Sequence, residues 1–423
     1  MLLQEEIFEK AHYDIIVAGG GVAGVSAAVQ AARVGKRVLL IEKSMKLGGL
    51  ATLGLVNFFV PMCNGRGKQI IFGMAEELLR LSIKYSFGGT HPDFVDGKIP
   101  DEKLAEYRAA KKQPPRYITR FSAEIFALTL TELCKNEGVD LLFDSVLSRP
   151  VCDEVDGKVK LLGVVVENKS GREYYTADMF VDATGDGDLM FRSGVPTVER
   201  GNFHTFNSFM ITLDSCRRAL EKQDIEAAVT GISGGSANLY GGNHPEGMPL
   251  YYGTSSDEVN RYIITNQLEL LEKLKKTDRN SRNVVTMPGM CQFRTTRRID
   301  GDYVLKESDA YKHFDDSVGA ISDFLYEIPL RTLVSRKAAN LITCGRSAAG
   351  DGYAWDVLRV IPPAIISGQA SGLACAHAID EGVDICDIDI KRLQNQLESV
   401  NVGIHFDDAD LPEVSDGTVE HND

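Results

Sequence analysis

A chain of 423 residues has room for two or three domains, or for one large domain carrying an insertion. With 43% hydrophobic and 25% charged residues it has the composition of a globular protein with ample material for a core. Its 46 basic and 60 acidic side chains leave a formal charge of −14, which argues against general binding to nucleic acid, because phosphates must be met by clustered positive charge. No apolar run approaches the ~18 residues of a membrane span, and none is expected. The opening MLLQEEIFEKAHYD is acidic and lacks the apolar run of a secretory signal. The eight cysteines form no Cys-x-x-Cys pair, so no zinc, iron–sulfur or dithiol site is expected, and no metal site is assigned. The resulting expectation is a reduced, cytoplasmic protein.

In chain order, residues 13–18 (YDIIVA) read as a buried strand, 22–34 as a helix and 36–41 (KRVLLI) as a second strand. Together they form a βαβ unit of roughly 30 residues, the length of a parallel crossover. Residues 69–85 read as an amphipathic helix, with Ile70, Met74, Leu78 and Leu81 on one stripe. Glycines, prolines and charges crowd 86–117, which is expected to be a surface excursion. A helix at 122–136 and a strand at 140–143 follow. Residues 158–168 and 172–178 are predicted to pair as a hairpin, with 179–183 a further buried strand. The parallel α/β rhythm lapses between 200 and 325, where 256–276 predicts an amphipathic helix. It returns with a strand at 339–344 and a helix at 362–379.

The fold class expected is therefore α/β: a Rossmann-like, discontinuous domain with a parallel sheet, carrying an inserted α+β substrate domain. Its first part spans 1–200, the insertion 201–325 and its second part 326–402. Residues 403–423 carry seven acids and no lysine or arginine, and are expected to be a disordered tail.

The chemistry begins at Gly19-Gly20-Gly21-Val22-Ala23-Gly24, a Gly-x-Gly-x-x-Gly run placed after a strand and opening a helix. In such a run the first glycine (Gly19) makes the tight turn. The second (Gly21) lets a pyrophosphate approach the backbone, and the third (Gly24) permits close helix–strand packing. The helix start at Val22 and Ala23 offers free N–H groups to the phosphates. Glu42 ends the second strand, 18 residues beyond Gly24, where an acid binds a ribose hydroxyl. An acid there favours FAD or NAD over NADP. After Glu42 and Lys43 the chain reaches a second glycine turn at Gly48-Gly49.

The continuation from Glu42-Lys43 to Gly48-Gly49 resembles a flavoprotein pattern. The chain is identified as a member of the FAD-dependent oxidoreductases, within the two-dinucleotide-binding-domain flavoproteins and a fumarate reductase/succinate dehydrogenase-like branch. The run 181–188, with Ala183-Thr184-Gly185, resembles that family's second FAD motif. The segment 340–346, ending Gly345-Arg346, and the helix start at Pro362-Pro363 resemble its C-terminal FAD motif. The resemblance implies an FAD cofactor held by Gly19, Gly21, Val22, Ala23, Gly24, Glu42, Lys43, Gly48, Gly49, Ala183, Thr184, Gly185, Gly345, Arg346 and Pro362. It also implies a helix N-terminus aimed at the flavin. The stretch 347–356, which holds the only tryptophan, departs from the branch's pattern. No second Gly-x-Gly-x-x-Gly follows a strand, so no dedicated NAD(P)H domain is expected.

Arginines suit an anionic substrate, because the guanidinium fork binds carboxylates in two places. The candidates are Arg294, Arg297, Arg298 and Arg359, of which Arg359 stands just before the flavin-facing helix. His204 and His244 are acid/base candidates in the insertion. Cys63 is considered for facing, or linking to, the flavin, and Tyr353 and Trp355 for stacking. The function expected is hydride transfer between flavin N5 and a small polar substrate, organic acid or sugar-like, with an unspecified electron acceptor or donor. Two alternatives stand beside it: a flavin-dependent nucleic-acid-modifying enzyme, and an electron carrier or sensor without its own substrate.

Overall fold

The computed structural model describes residues 6–117, 119–321 and 324–411. The chain opens with β1 (Glu9–Ala18), α1 (Val22–Arg33) and β2 (Val38–Ile41), the βαβ unit read from the sequence. A short pair, β3 (Phe58–Phe59) and β4 (Thr119–Arg120), brackets α2 (Gly73–Ile83) and α3 (Asp101–Ala109). The expected excursion thus contains a helix, and α3 buries no residue. Next come α4 (Ala123–Asn136), whose N-cap Ser122 accepts a hydrogen bond from the Ile125 N–H, and β5 (Asp140–Leu142).

A meander follows: β6 (Val146–Val155), β7 (Lys158–Asn168) and β8 (Gly171–Asp182). Here the sequence reading needs correction, because 172–178 and 179–183 are not two strands. They form one long β8 that does two jobs. Its first half pairs antiparallel with β7, while its last residues carry a parallel neighbour on the same edge, and β1 runs along its other edge. Strand β6 has no counterpart in the sequence reading. Its burial pattern is mostly exposed or half-buried, so no apolar run marks it.

After α5 (Asp188–Arg192) and β9 (Thr197–Glu199) the chain builds a separate layer. Strands β10 (Thr205–Thr212), β11 (Val229–Ser236) and β12 form an antiparallel sheet, with α6 (Leu213–Lys222) and α7 (Ser256–Lys275) between them and β12 at Arg282–Thr286. Its small core is aromatic: Phe206, Tyr251, Tyr262 and Phe293 with Leu270.

Strand β13 (Arg297–Ile299) then pairs with β9, and β14 (Ser317–Ile321) with β15 (Tyr326–Pro329). Strand β16 (Leu341–Thr343) is the parallel neighbour of β8. Helices α8 (Gly352–Leu358), α9 (Ile361–Glu381) and α10 (Ile390–Ser399) complete the described elements.

The central sheet thus carries a parallel run β5-β2-β1-β8-β16. Its strands are apolar on both faces, as a covered parallel sheet requires. Ile15, Val17, Leu40, Val181 and Ile342 face α1 and α9. Ile16, Leu39, Ile41, Phe180 and Leu341 face the core under the meander. Helix α9 lies directly on α1, because a Cβ at Gly368 or Gly372 would strike the carbonyl of Ala23 or Ala27. Two glycines four residues apart on one helix face permit that approach.

Residues 305–321 do not pack with the antiparallel layer: Leu305, Val318, Ala320 and Ile321 join the core around α9. The expected tail also starts too early at 403. Gly403 and Ile404 offer their carbonyls to the Ala320 N–H at 2.7 Å and the Ser317 hydroxyl at 2.6 Å, and Ile404 and Phe406 are buried. Its apolar residues anchor this stretch despite its acidity. Residues 412–423 of the expected tail lie outside the described residues. Among the described residues no helix is long and apolar enough to cross a membrane.

Candidate functional site

The C-terminal ends of β1, β2, β8 and β16 open into one cleft of 480 Å³. Its position follows the rule for parallel α/β sheets, in which ligands bind beyond the carboxyl ends of the strands. Gly19, Gly21, Val22, Ala23, Glu42, Lys43, Gly48, Gly49, Ala183, Thr184, Gly185, Gly345, Arg346 and Arg359 all line it. Segments more than 300 residues apart in sequence therefore converge.

The glycine run divides its labour. Gly19 turns with φ +107°, a conformation that L side chains rarely adopt. Gly24 does not line the cleft; a Cβ there would run into the Gly19 carbonyl, so it serves the strand–helix corner. Gly21 is the informative one. Its φ of −64° suits any residue, and a Cβ added to it meets no protein atom within 4 Å. Nothing in the polypeptide itself requires glycine at that position, whereas a ligand lying against the backbone would. Behind it, the first N–H groups of α1 precede the first intrahelical bond, Val25 N–H to Gly21 O, and remain available to an anion.

Glu42 is buried at the rim of the corner. Its Oε2 accepts the Gly20 N–H at 2.7 Å and its Oε1 accepts the Ser44 N–H at 2.8 Å. Both bonds fix the carboxylate, and each oxygen keeps a lone pair for a further donor. The cradle therefore suits a dinucleotide: a diphosphate at the helix start and a diol at the acid.

Arg346 lines the cleft, but its guanidinium is used internally. It donates to Gly185 O at 2.7 Å, to Phe293 O at 2.5 Å and to Asp186 Oδ1 at 2.5 Å. It ties the end of β8, the 293–296 segment and the β16 turn together. Arg359 differs. Its Nε donates to Asp356 Oδ1 at 2.8 Å, and its other two guanidinium nitrogens have no protein partner among the described residues. It stands at the start of α9, whose Ile361 and Ala364 also line the cleft. Pro362 lies in that first turn without lining the cleft. With prolines at 362 and 363 lacking N–H groups, and the Ala364 N–H already bonded to Val360 O, this helix end presents few hydrogen-bond donors beside its dipole.

The remaining sequence candidates stand elsewhere. Arg294 and Arg298 do not line the cleft. Arg298 is buried beside the Trp355 ring, 5.7 Å away, and burial lowers its pKa. Arg297 is paired with Asp188 and Glu199. Trp355 is 1% exposed and donates its ring N–H to Arg346 O at 2.7 Å, so it packs rather than stacks on a ligand. Tyr353 packs edge-on against Phe324.

His204 is buried in the aromatic core of the antiparallel layer, edge-on to Tyr262 at 5.8 Å, and burial lowers its pKa. His244 accepts the His204 backbone N–H and meets Met248 O through its other nitrogen, a loop-fixing role. Cys63 is fully buried away from the cleft wall.

Sequence reasoning missed the cleft's apolar wall at Leu50, Leu53, Gly289 and Met290. The 289–292 segment is stitched to it: Gly289 N–H donates to Leu53 O at 2.8 Å, and the Gln292 amide donates to Gly54 O at 2.7 Å. Leu50 and Leu53 directly follow the Gly48-Gly49 turn, a signal within reach; Met290 has none.

The sequence profile of the FAD-dependent oxidoreductase family matches residues 14–229 and 318–397, well over half of the chain. The chain belongs to the FAD-dependent oxidoreductase family. FAD is its cofactor, and the cradle at Gly21 and Glu42 fits that group. Curated relatives match this FAD-dependent oxidoreductase over short stretches. A thioredoxin reductase of Ureaplasma parvum is 32% identical over 71 residues, 17% of this chain and 23% of that protein. A soluble pyridine nucleotide transhydrogenase of a Marinomonas species is 54% identical over 41 residues, 10% of this chain and 9% of that protein. The chain therefore spans less than a quarter of either relative's length. Among solved structures, a geranylgeranyl bacteriochlorophyll reductase-like protein of Thermoplasma acidophilum superposes at a TM-score of 0.45 and 16% identity. That superposition covers 92% of this chain and 83% of the other.

Proposed function

We propose that this oxidoreductase exchanges a hydride between its flavin and a small polar substrate, an organic acid or a sugar-like molecule, held beside Arg359. The observation that carries this reading is the state of Arg359. It is a cleft-lining cation, oriented through one nitrogen by Asp356, with its remaining donors uncommitted to protein. Bound FAD supplies the two-electron redox chemistry.

The chain's own residues then have separable tasks. Glu42 receives the ribose hydroxyls, and the N–H groups after Gly21 receive the diphosphate. Ala183, Thr184, Gly185 and Gly345 flank the cofactor along the strand ends. Arg359 binds a carboxylate, or an oxygen gaining negative charge, through its free donors. Leu50, Leu53 and Met290 give the cleft an apolar wall, and a drier cleft strengthens the electrostatic contact. The sheet-bearing body, residues 1–200 and 326–402, holds the cofactor, with Gly289 and Met290 of the intervening chain on the cleft wall.

The test is anaerobic bleaching of the purified flavoprotein against a panel of hydroxy acids, sugars and alcohols. Reduction by an anionic or polyhydroxylated member, saturable and abolished in R359A, supports the reading. A flavin bleached by none of them, or bleached equally well in R359A, would overturn it.

A further inference from the structure

Where β14 packs on α9, the β14–β15 hairpin meets the chain's C-terminal stretch. Glu327 of β15 is 0% exposed there. A buried carboxylate must be met by charge or by hydrogen bonds. Its Oε2 accepts the Phe314 N–H at 2.7 Å. Its Oε1 faces two imidazoles at once, His313 Nδ1 at 2.6 Å and His405 Nδ1 at 2.9 Å. The ligand-capable atoms of His313, Glu327 and His405 lie within 4.8 Å of one another.

We propose that His313, His405 and Glu327 form a binding site for a divalent transition-metal ion of the zinc type. Two imidazole nitrogens and one carboxylate oxygen are a ligand set such ions favour, with the remaining positions left to water. Ligand bonds of about 2.0–2.2 Å at tetrahedral angles put neighbouring donor atoms about 3.3–3.6 Å apart. The separations of 2.6 and 2.9 Å to Oε1 must widen by roughly half an ångström, and the two histidine side chains, 41% and 43% exposed, have room to turn. That exposure also provides a path from solvent.

A second layer is already in place. His313 Nε2 lies 2.9 Å from Asp408 Oδ1, the carboxylate–histidine arrangement that orients metal-bound imidazoles. The Phe314 N–H holds the other Glu327 oxygen, leaving Oε1 to the ion. The His313 ring is further fixed by stacking on Phe406, centroids 4.2 Å apart.

The three ligands come from three separate segments, and His405 belongs to the stretch already anchored through Gly403 and Ile404. An ion here staples the C-terminal segment to the hairpin. None of the three lines the cofactor cleft, so the staple is independent of the flavin chemistry.

The experiment uses the full-length flavoprotein, stripped with EDTA and titrated with zinc chloride by calorimetry and by competition with a chromophoric chelator. Wild type is expected to bind one equivalent with a Kd in the micromolar range or tighter. H405A is expected to bind at least 30-fold more weakly with its flavin content and spectrum unchanged. The second-layer variant D408N should lose about 10-fold. Zinc should raise the melting temperature of wild type and not of H405A. Absence of stoichiometric binding would overturn the proposal and leave a clasp of protonated histidine between carboxylates. So would H405A binding zinc as tightly as wild type, which would point to a cysteine site instead.

Discussion

Asp356 holds Arg359 and Arg200 through its two carboxylate oxygens, at 2.8 and 2.6 Å, while itself nearly buried. Arg200 also lies over the Trp355 ring at 5.0 Å and donates to Gly352 O at 2.9 Å. One carboxylate thus orients a cleft-lining cation against a cationic and aromatic backing.

R359A should therefore cost turnover and leave flavin occupancy nearly intact. Loss of a positioned donor to developing charge costs about 100-fold or more in kcat. D356N should keep the cation but loosen its aim, giving a smaller loss that raises KM. Steady-state kinetics on whichever substrate bleaches the flavin checks both. Equal kcat and KM in R359A and wild type would remove this arginine from the site.

E42A should weaken FAD retention. The carboxylate is fixed by two backbone N–H groups, and a lost hydrogen bond to a charged group is worth about 1.5–3 kcal/mol, roughly 10- to 100-fold in affinity. Flavin fluorescence during titration of the apoprotein measures it. An unchanged affinity would place the ribose elsewhere.

Much of this cradle is legible because its signals are local. The glycine run, Glu42 and the Gly345 turn are each contiguous with a strand that the apolar runs reveal. What stayed hidden is what depends on distant pairing. Residues 172–183 contain a change of partner, from β7 to β16, that no periodicity records, so one strand reads as two. Arg346 and Arg359 have the same charge and similar neighbours in sequence. Only the fold shows that Asp186 and two carbonyls consume the first, while Asp356 takes a single nitrogen of the second. His204 carries the residue type of an acid/base group, yet its environment is an aromatic core assembled from Tyr251 and Tyr262. His313, Glu327 and His405 are unremarkable one by one, and acidity at 407–410 masks the anchoring role of Ile404 and Phe406.

The glycine run allows fold and ligand requirements to be separated. G24A should destabilise the apoprotein by about 1–3 kcal/mol, because the new methyl meets the Gly19 carbonyl and overpacked sites relax poorly. G21A should leave apoprotein melting unchanged, since its Cβ enters open space, yet impair FAD binding. Thermal melts of the two apoproteins beside their FAD affinities distinguish the cases. Tight FAD binding by G21A would mean that the cofactor does not run against that backbone.

Asp182 ends β8 fully buried, and desolvation raises its pKa from 3.8 to about 6 even though Met190 N–H, Thr184 N–H and the Thr184 hydroxyl all donate to it. The sign follows from linkage: a carboxyl with a higher pKa folded than unfolded favours the folded state only while protonated. Its contribution is present below pH 4 and is lost as pH rises through about 6. Holding the carboxyl at about 6 instead of 3.8 corresponds to about 3 kcal/mol. D182N cannot titrate, and its amide must face a backbone N–H, so it should be the less stable protein at pH 4. Between pH 4 and 7 the stability gap to wild type should narrow by up to that amount. Urea unfolding of both proteins across this range, at saturating FAD, measures it. A gap that stays constant with pH would show that the three donors keep Asp182 ionised throughout and that burial does not dominate.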